Sequence, residues 1–217
     1  MSINYESYRW NRRIMEYTYH QIPGWFNYQD SYAQLASNLP DGATVVEIGS
    51  FMGRSTSFLA TAFWNANKQN VKIYCIDTWE GSGQEHAHLD LSKMYHTFRE
   101  NLQFFIGREM VIPLQGRSDN QAFLDRFQDG SIDAISVDGA HTYDEVKDDI
   151  LNWWPKIKPD GIMIGDDYNW QSVQQAVNDA FKELNMKKEV WCNKSTEFTW
   201  YTAKNGDAEP WKKAIPK

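Results

Sequence analysis

The sequence predicts an α/β fold, a Rossmann-like doubly wound sheet with mostly parallel strands, on three observations. β-branched runs alternate with helical patterns along most of the chain, as βαβ units require. The first run, Val45-Val46-Glu47-Ile48, empties into Gly49-Ser50-Phe51-Met52-Gly53 and then a helical stretch, which reads as strand, tight turn and helix start. Later runs close on acids, Asp77, Asp138 and the pair Asp166-Asp167, so carboxylates collect on the sheet edge where open α/β sheets bind ligands.

The 217 residues suffice for one domain with a sizeable core. Hydrophobic residues make up 41%, and ten Trp, eleven Tyr and eleven Phe leave aromatics over to line a pocket. The net charge of −7, without a basic block, lacks the electrostatic footprint that a nucleic-acid partner needs. Cys75 and Cys192 form no Cys-x-x-Cys and sit in apolar or β-prone runs, which favours buried thiols in a reducing compartment over a disulfide or zinc site. A secretory leader is not visible and no apolar run reaches membrane-spanning length, so the expectation is a cytoplasmic protein with no membrane partner.

Residues 1–40 read as an N-terminal helical arm. Tyr5, Tyr8, Ile14, Met15 and Tyr19 share an apolar face of one or two short helices over residues 1–22, and Pro23-Gly24 interrupts them. Aromatics crowd Trp25 to Tyr32, a helix follows from about Asp30 to Leu39, and Pro40-Asp41-Gly42 ends it. The aromatic run suits either of two purposes, covering a bound ligand or packing the arm onto the domain.

The domain proper, residues 41–204, opens with the glycine turn. Gly49 and Gly53 permit a close backbone approach, and Ser55 or Thr56 is placed to cap a helix running to Asn65. Glu47 would repel a pyrophosphate but accept from a cationic amine, while free amides at the helix start attract a carboxylate or phosphate. A zwitterionic ligand satisfies both. The dinucleotide fingerprint carries three glycines, and the phosphate loop needs Gly-Lys-Ser/Thr, neither of which is present. The second strand, Val71 to Asp77, ends in an acid positioned to accept from both hydroxyls of a ribose.

Residues 78–101 form a glycine- and histidine-bearing loop and then a helical stretch, and a connection this long is usually functional. His86-x-His88 lacks a third ligand at a metal-binding spacing and reads as a solvated or substrate-facing loop. A third strand spans Glu109 to Leu114. The turn Gln115-Gly116-Arg117-Ser118-Asp119 offers polar groups to an adenine edge, and a helix covers Asn120 to Phe127. The fourth strand, Ile132 to Asp138, leads through Gly139-Ala140-His141 to a helix ending near Trp154. Pro155 to Pro159 turns the chain into a fifth strand, Gly161 to Tyr168, followed by a helix from Gln171 to Leu184. Two closing strands, Met186 to Cys192 and Thr196 to Thr202, flank an Asn193-Lys194-Ser195 turn, and residues 205–217 form a loose tail.

Strands four and five are neighbours in the usual doubly wound order, which brings Asp138 together with Asp166 and Asp167. Three carboxylates so gathered suit a hard divalent cation, Mg²⁺ above all, with positions left for a bidentate substrate. Alternatively, Asp138 caps the following helix and Asp167 faces solvent.

Taken in order, Glu47-x-Gly49-x-x-x-Gly53, Asp77, Gly116-x-Ser118, Asp138-x-x-His141 and Gly165-Asp166-Asp167-Tyr168 resemble class I S-adenosylmethionine-dependent methyltransferases. The likeness is greatest to the macrocin O-methyltransferase-like branch, related to the catechol O-methyltransferases, and runs from about Trp25 to Tyr201. It implies a seven-stranded sheet of order 3-2-1-4-5-7-6 with the last strand antiparallel. It implies S-adenosylmethionine bound by Glu47, Gly49, Ser50, Gly53, Ser55, Asp77, Trp79, Gly116, Ser118 and Asp138, and a metal held by Asp138, Asp166 and Asp167.

Where catechol-type enzymes place a lysine three residues after the first metal aspartate, this chain has His141. Imidazole is an able general base near neutral pH, so His141 with Asp138 makes the catalytic pair; alternatively His141 only stabilises its turn. The resemblance implies metal-assisted O-methyl transfer to a small molecule with vicinal hydroxyls, a sugar, phenol or natural product. The acceptor pocket then falls to the arm and the 78–101 loop, with a homo-oligomer compatible. The rivals are a non-catalytic module that binds S-adenosylmethionine and a nicotinamide-dependent oxidoreductase.

Overall fold

The structure is a computed structural model describing residues 15–81, 90–186, 191–193 and 198–206. Its centre is a seven-stranded sheet of β1 (Thr44–Ile48), β2 (Lys72–Asp77), β3 (Val111–Gln115), β4 (Ile132–Val137), β5 (Ile157–Gly165), β6 (Trp191–Asn193) and β7 (Thr199–Ala203). The spatial order is β3-β2-β1-β4-β5-β7-β6. Pairings from β3 to β5 are parallel, and β7 runs antiparallel to both β5 and β6. The order reverses between β1 and β4, which opens a crevice at their carboxyl ends.

Alternation along the strands divides the core into two layers. Val45, Ile73, Cys75, Ala134, Ile162 and Ile164 pack on one face beneath α1 (Gln29–Asn38), α2 (Arg54–Asn65) and α3 (Met94–Asn101). Val46, Ile48, Ile76, Ile135, Val137 and Met163 pack on the other, against α6 (Tyr143–Trp153) and α7 (Gln171–Glu183). Two single-turn helices, α4 (Gln103–Ile106) and α5 (Gln121–Leu124), flank β3. The same period-2 rule sends Glu47 and Ser136 toward α1 and α2, a face otherwise apolar.

Three local expectations change. The helix after the glycine turn begins at Arg54, capped by Gly53 in a left-handed conformation (φ 88°) without a side-chain bond; Ser55 and Thr56 lie inside it and turn their hydroxyls on Glu47. Pro159 lies within β5 rather than in a turn before it. The register jumps from Ile132↔Ile157 to Ala134↔Ile162, so residues 158–161 bulge from the ladder and Pro159 owes it no N–H. The helix expected to run to Phe127 is a single turn over Gln121–Leu124, started by Asn120, whose side chain accepts from Ala122 N.

Among arm residues, Met15 and Tyr19 pack on the core, while Phe26, Tyr28, Tyr32 and Leu35 are buried in it. Tyr19 to Gln21 make a single 3-10 turn. Tyr5, Tyr8, Ile14, His86, His88, Lys194, Ser195, Thr196 and the tail from residue 207 lie outside the described residues. Cys75 is buried, and burial pushes its thiol pKa well up, as an inert core thiol requires.

Candidate active site

A cleft of about 770 Å³ lies along the carboxyl ends of β1, β2, β4 and β5, with arm residues 24–27 forming one wall. A second cleft of about 560 Å³ shares Gly49, Asp77, Gly139, His141 and Trp170 with the first and extends along the β3 and α6 side to Gly116, Ser118 and Asp149. Gly49 stands where the two meet. Its φ is +87°, and a Cβ there would come within 2.0 Å of the Asp138 carbonyl oxygen, so the backbones of β1 and β4 leave that turn no room for a side chain.

Glu47 is fully buried and lines neither cleft. Its Oε1 accepts from Tyr32 Oη at 2.8 Å and Ser55 Oγ at 3.0 Å, and its Oε2 from Ser50 Oγ at 2.7 Å and from Thr56 Oγ1. Burial pushes its pKa up and these hydroxyls pull against that. Ser50 and Ser55 line the first cleft, so Glu47 sits beneath them and acts on that wall through their hydroxyls.

Asp77 lines both clefts, fixed by two backbone amides: Phe51 N donates to Oδ2 at 2.8 Å and Trp79 N to Oδ1 at 2.7 Å. Trp79 is buried against Tyr95 and Phe98, and its Nε1 donates to Phe51 O at 2.7 Å. It lines neither cleft and instead ties the glycine turn to the loop after β2. Gly53 is likewise behind the wall, serving as helix cap.

Gly116 and Ser118 border the second cleft. Ser118 donates its hydroxyl to Asp149 Oδ1, and Trp153 Nε1 donates to Ser118 O at 3.1 Å, so α6 grips this loop at two points. Burial raises the Asp149 pKa to about 7, against the pull of the Ser118 bond.

The acids after β4 and β5 meet His141 in the first cleft. His141 Nε2 lies 2.8 Å from Asp167 Oδ2, Ser172 Oγ donates to His141 O at 2.6 Å, and the Trp170 ring leans on the imidazole with centroids 4.8 Å apart. The α6 helix is capped by Thr142, whose side chain accepts from Glu145 N while its hydroxyl donates to Glu145 Oε2. Asp138 is therefore spared that task and faces the cleft, where Tyr28 Oη donates to its Oδ2 at 2.6 Å. Burial and then the charge of Asp166 push the Asp138 pKa well above the usual carboxylate range.

Asp138, His141 and Asp167 each offer a ligand atom, all within 4.8 Å of one another. Two carboxylates and an imidazole suit a divalent cation with mixed oxygen and nitrogen donors. This grouping takes His141 in place of Asp166, which lines the same cleft beside it.

Sequence reasoning missed four residues of this site: Tyr28, Tyr32, Asp149 and Trp170. The arm aromatics were visible as a cluster, but hydrogen bonds spanning 110 residues (Tyr28 to Asp138) and 15 residues (Tyr32 to Glu47) leave no local pattern. Asp149 stands within the acidic run Asp144-Glu145-Val146-Lys147-Asp148-Asp149, where only the helical period singles it out as inward-facing.

A sequence profile described as a methyltransferase domain matches residues 46–168. The uncharacterized protein y4gI of Sinorhizobium fredii (strain NBRC 101917 / NGR234) is 30% identical over 120 residues, which are 55% of this chain and 12% of that protein's length. Among solved structures, the O-methyltransferase NovP superposes with a TM-score of 0.56 at 16% identity, over 80% of this chain and 77% of its own. A putative rRNA methylase from Clostridium thermocellum gives 0.59 at 15% identity, over 84% and 98%. An S-adenosylmethionine-dependent O-methyltransferase from Thermotoga maritima gives 0.54 at 15%, over 81% and 64%. At these identities the structural likeness concerns the fold. Among the described residues, no helix is long and apolar enough to cross a membrane.

Proposed function

The chain belongs to the methyltransferase-domain family, and from that premise we propose that it transfers a methyl group from S-adenosylmethionine to a hydroxyl of a small cytoplasmic acceptor bearing vicinal hydroxyls. The observation that carries O-methyl transfer is the convergence of His141, Asp167 and Asp138 in one cleft, with Asp77 on its wall. An oxygen nucleophile needs a base, and imidazole paired with a carboxylate provides one.

In this reading Asp77 accepts from the ribose hydroxyls, and the 116–118 loop borders the adenine. Ser50 and Ser55, their protons committed to Glu47, turn oxygen lone pairs toward the amino group. Bound there, the cofactor supplies an electrophilic methyl on a sulfonium sulfur. The acceptor oxygen takes that methyl as the carbon–sulfur bond breaks, the His141 imidazole takes the hydroxyl proton on Nδ1, the nitrogen turned away from Asp167, and the products are a methyl ether and S-adenosylhomocysteine. Asp167 keeps the imidazole oriented and stabilises its cation. A divalent cation, Mg²⁺ by choice of carboxylate ligands, would be held by Asp138 and Asp167 with Asp166 alongside, and would supply Lewis acidity that lowers the hydroxyl pKa.

The arm is proposed to cover the acceptor through residues 24–27, which line the cleft, with Trp25, 73% exposed, as the apolar face. The net charge of −7 supports a small acceptor over a polynucleotide. The reading is tested by calorimetry with S-adenosylhomocysteine: wild type binds, and Asp77→Ala weakens binding by about 1–3 kcal/mol, the loss of a charged hydrogen-bond partner. Unchanged binding in the variant, or tighter binding of a nicotinamide dinucleotide, would sink it.

A further inference from the structure

Arg54 opens α2 and lines the first cleft, the one permanent cation among the described residues of its wall. The same wall carries Asp77, Asp138, Asp166 and Asp167, yet among the described residues Arg54 pairs with no carboxylate. Its Nη1 donates to the Gly24 backbone oxygen at 2.7 Å, which ties it to the arm. Its Nε is buried with no hydrogen-bond partner among the described residues. A buried, charged donor without an acceptor is costly, and the edge formed by Nε and Nη2 is the one that takes a carboxylate in two parallel bonds.

Other donors in this corner are already committed. The amides of Gly49, Phe51 and Gly53 donate to Ile76 O, Asp77 Oδ2 and Ser50 O. The hydroxyls of Ser50 and Ser55 donate to Glu47. What these serines present to the cleft is oxygen, suited to an ammonium group, so the anionic half of a ligand falls to the guanidinium and the first amides of α2.

We propose that Arg54 is the carboxylate receptor of the cleft, its Nε and Nη2 edge taking a carboxylate from the amino-acid end of the cofactor or from an acid substituent on the acceptor. The inference rests on the methyltransferase reading for the ligand that brings the cofactor carboxylate.

Calorimetry on wild type, Arg54→Met and Arg54→Lys decides it, with melting temperatures as a folding control. S-adenosylhomocysteine is compared with 5′-methylthioadenosine, which lacks the amino-acid end. 3,4-Dihydroxybenzoate is compared with catechol in the presence of S-adenosylhomocysteine and Mg²⁺. If the carboxylate is the cofactor's, Arg54→Met weakens S-adenosylhomocysteine roughly tenfold or more and leaves 5′-methylthioadenosine within about twofold, with Lys restoring part of the loss. If it is the acceptor's, S-adenosylhomocysteine is unaffected, wild type prefers 3,4-dihydroxybenzoate to catechol by roughly tenfold, and Arg54→Met erases the preference.

Equal weakening of both adenosyl ligands, or no change in them together with no carboxylate preference between the diols, including failure of both diols to bind, overturns the proposal. Should Arg54→Met fail to fold, Arg54→Gln, which still donates to Gly24, is read in its place. Failure of wild type to bind S-adenosylhomocysteine would instead strike at the methyltransferase reading, so the two failures are told apart.

Discussion

Tyr28 Oη donates to Asp138 Oδ2 at 2.6 Å, so a residue of the arm holds one oxygen of the carboxylate that the site is built around. Tyr28 is 2% exposed, its ring set edge-on to Phe26 and Tyr32, and Tyr32 reaches Glu47 from the same segment. The arm thereby touches both Glu47 and Asp138, the acids that end β1 and follow β4. Burial, and then the charge of Asp138, push the Tyr28 pKa well up, so it stays a donor.

Tyr28→Phe keeps the ring packing and removes that donor. A buried hydrogen bond contributes about 0.5–1.5 kcal/mol, which predicts a roughly 2- to 10-fold fall in turnover once an acceptor is known. S-adenosylhomocysteine affinity should barely move, while the melting temperature falls by a few degrees with the lost buried hydrogen bond. An unchanged rate would show that Asp138 needs no help from the arm.

Gly49→Ala is predicted to be among the most damaging single-methyl changes in the chain. The added Cβ would meet the Asp138 backbone oxygen at 2.0 Å in a left-handed conformation, so left-handed strain of about 1–2 kcal/mol is joined by an overpacking cost of about 1–3 kcal/mol. Gly42→Ala is the control, since its φ is also positive (+82°) but nothing lies within 4 Å of its Cβ. Urea unfolding of the two variants should separate the steric part from the conformational part. Equal losses would mean that the β1–β4 contact yields easily.

What the sequence revealed, and what it withheld, follows from the range of the interactions. The alternation of strands and helices, the glycine turn and the strand-end acids depend on local periodicity, and β1, β2 and β4 with Asp77 and Asp138 stand where the pattern put them, whereas the full strand order came from the family resemblance. Pro159 misled because a proline normally breaks a ladder, and a five-against-two bulge cannot be read from one strand. Ser55 and Thr56 misled because capping is a local rule, overridden here by the buried Glu47 carboxylate of the preceding strand needing donors. Glu47 was legible as a motif residue but not as a buried one, since its depth is set by α1, which packs from the arm.

Asp149 gives the fold a pH dependence whose sign can be worked out. Its folded pKa is raised from the ordinary 3.8 to about 7, so the folded protein holds this proton more tightly than the unfolded chain does. The stabilisation is present in full below about pH 4, is lost as pH rises to about 7, and changes no further above that. Asp149→Asn keeps an oxygen acceptor for Ser118 and has no proton to lose. Its melting temperature should therefore gain on that of wild type as pH goes from 5 to 8, and parallel curves would refute the assignment.

His141 and Asp167, 2.8 Å apart, make the last prediction. If His141 is the base, His141→Ala should lower the rate by a factor on the order of 10²–10⁴ without disturbing S-adenosylhomocysteine binding, and the remaining activity should rise with pH as solvent takes over the proton. Asp167→Asn leaves the imidazole but removes the carboxylate that orients it, so its rate should fall by less and the acid limb of its pH profile should shift down, because the imidazolium loses its partner. Removal of divalent metal by EDTA adds a separate axis. If Asp138 and Asp167 hold a cation, EDTA abolishes turnover in wild type and Mg²⁺ restores it, whereas Asp138→Asn needs far more Mg²⁺ for the same rate. A His141→Ala enzyme with an unaltered rate across about pH 6 to 9 would make the histidine a structural post for the turn before α6.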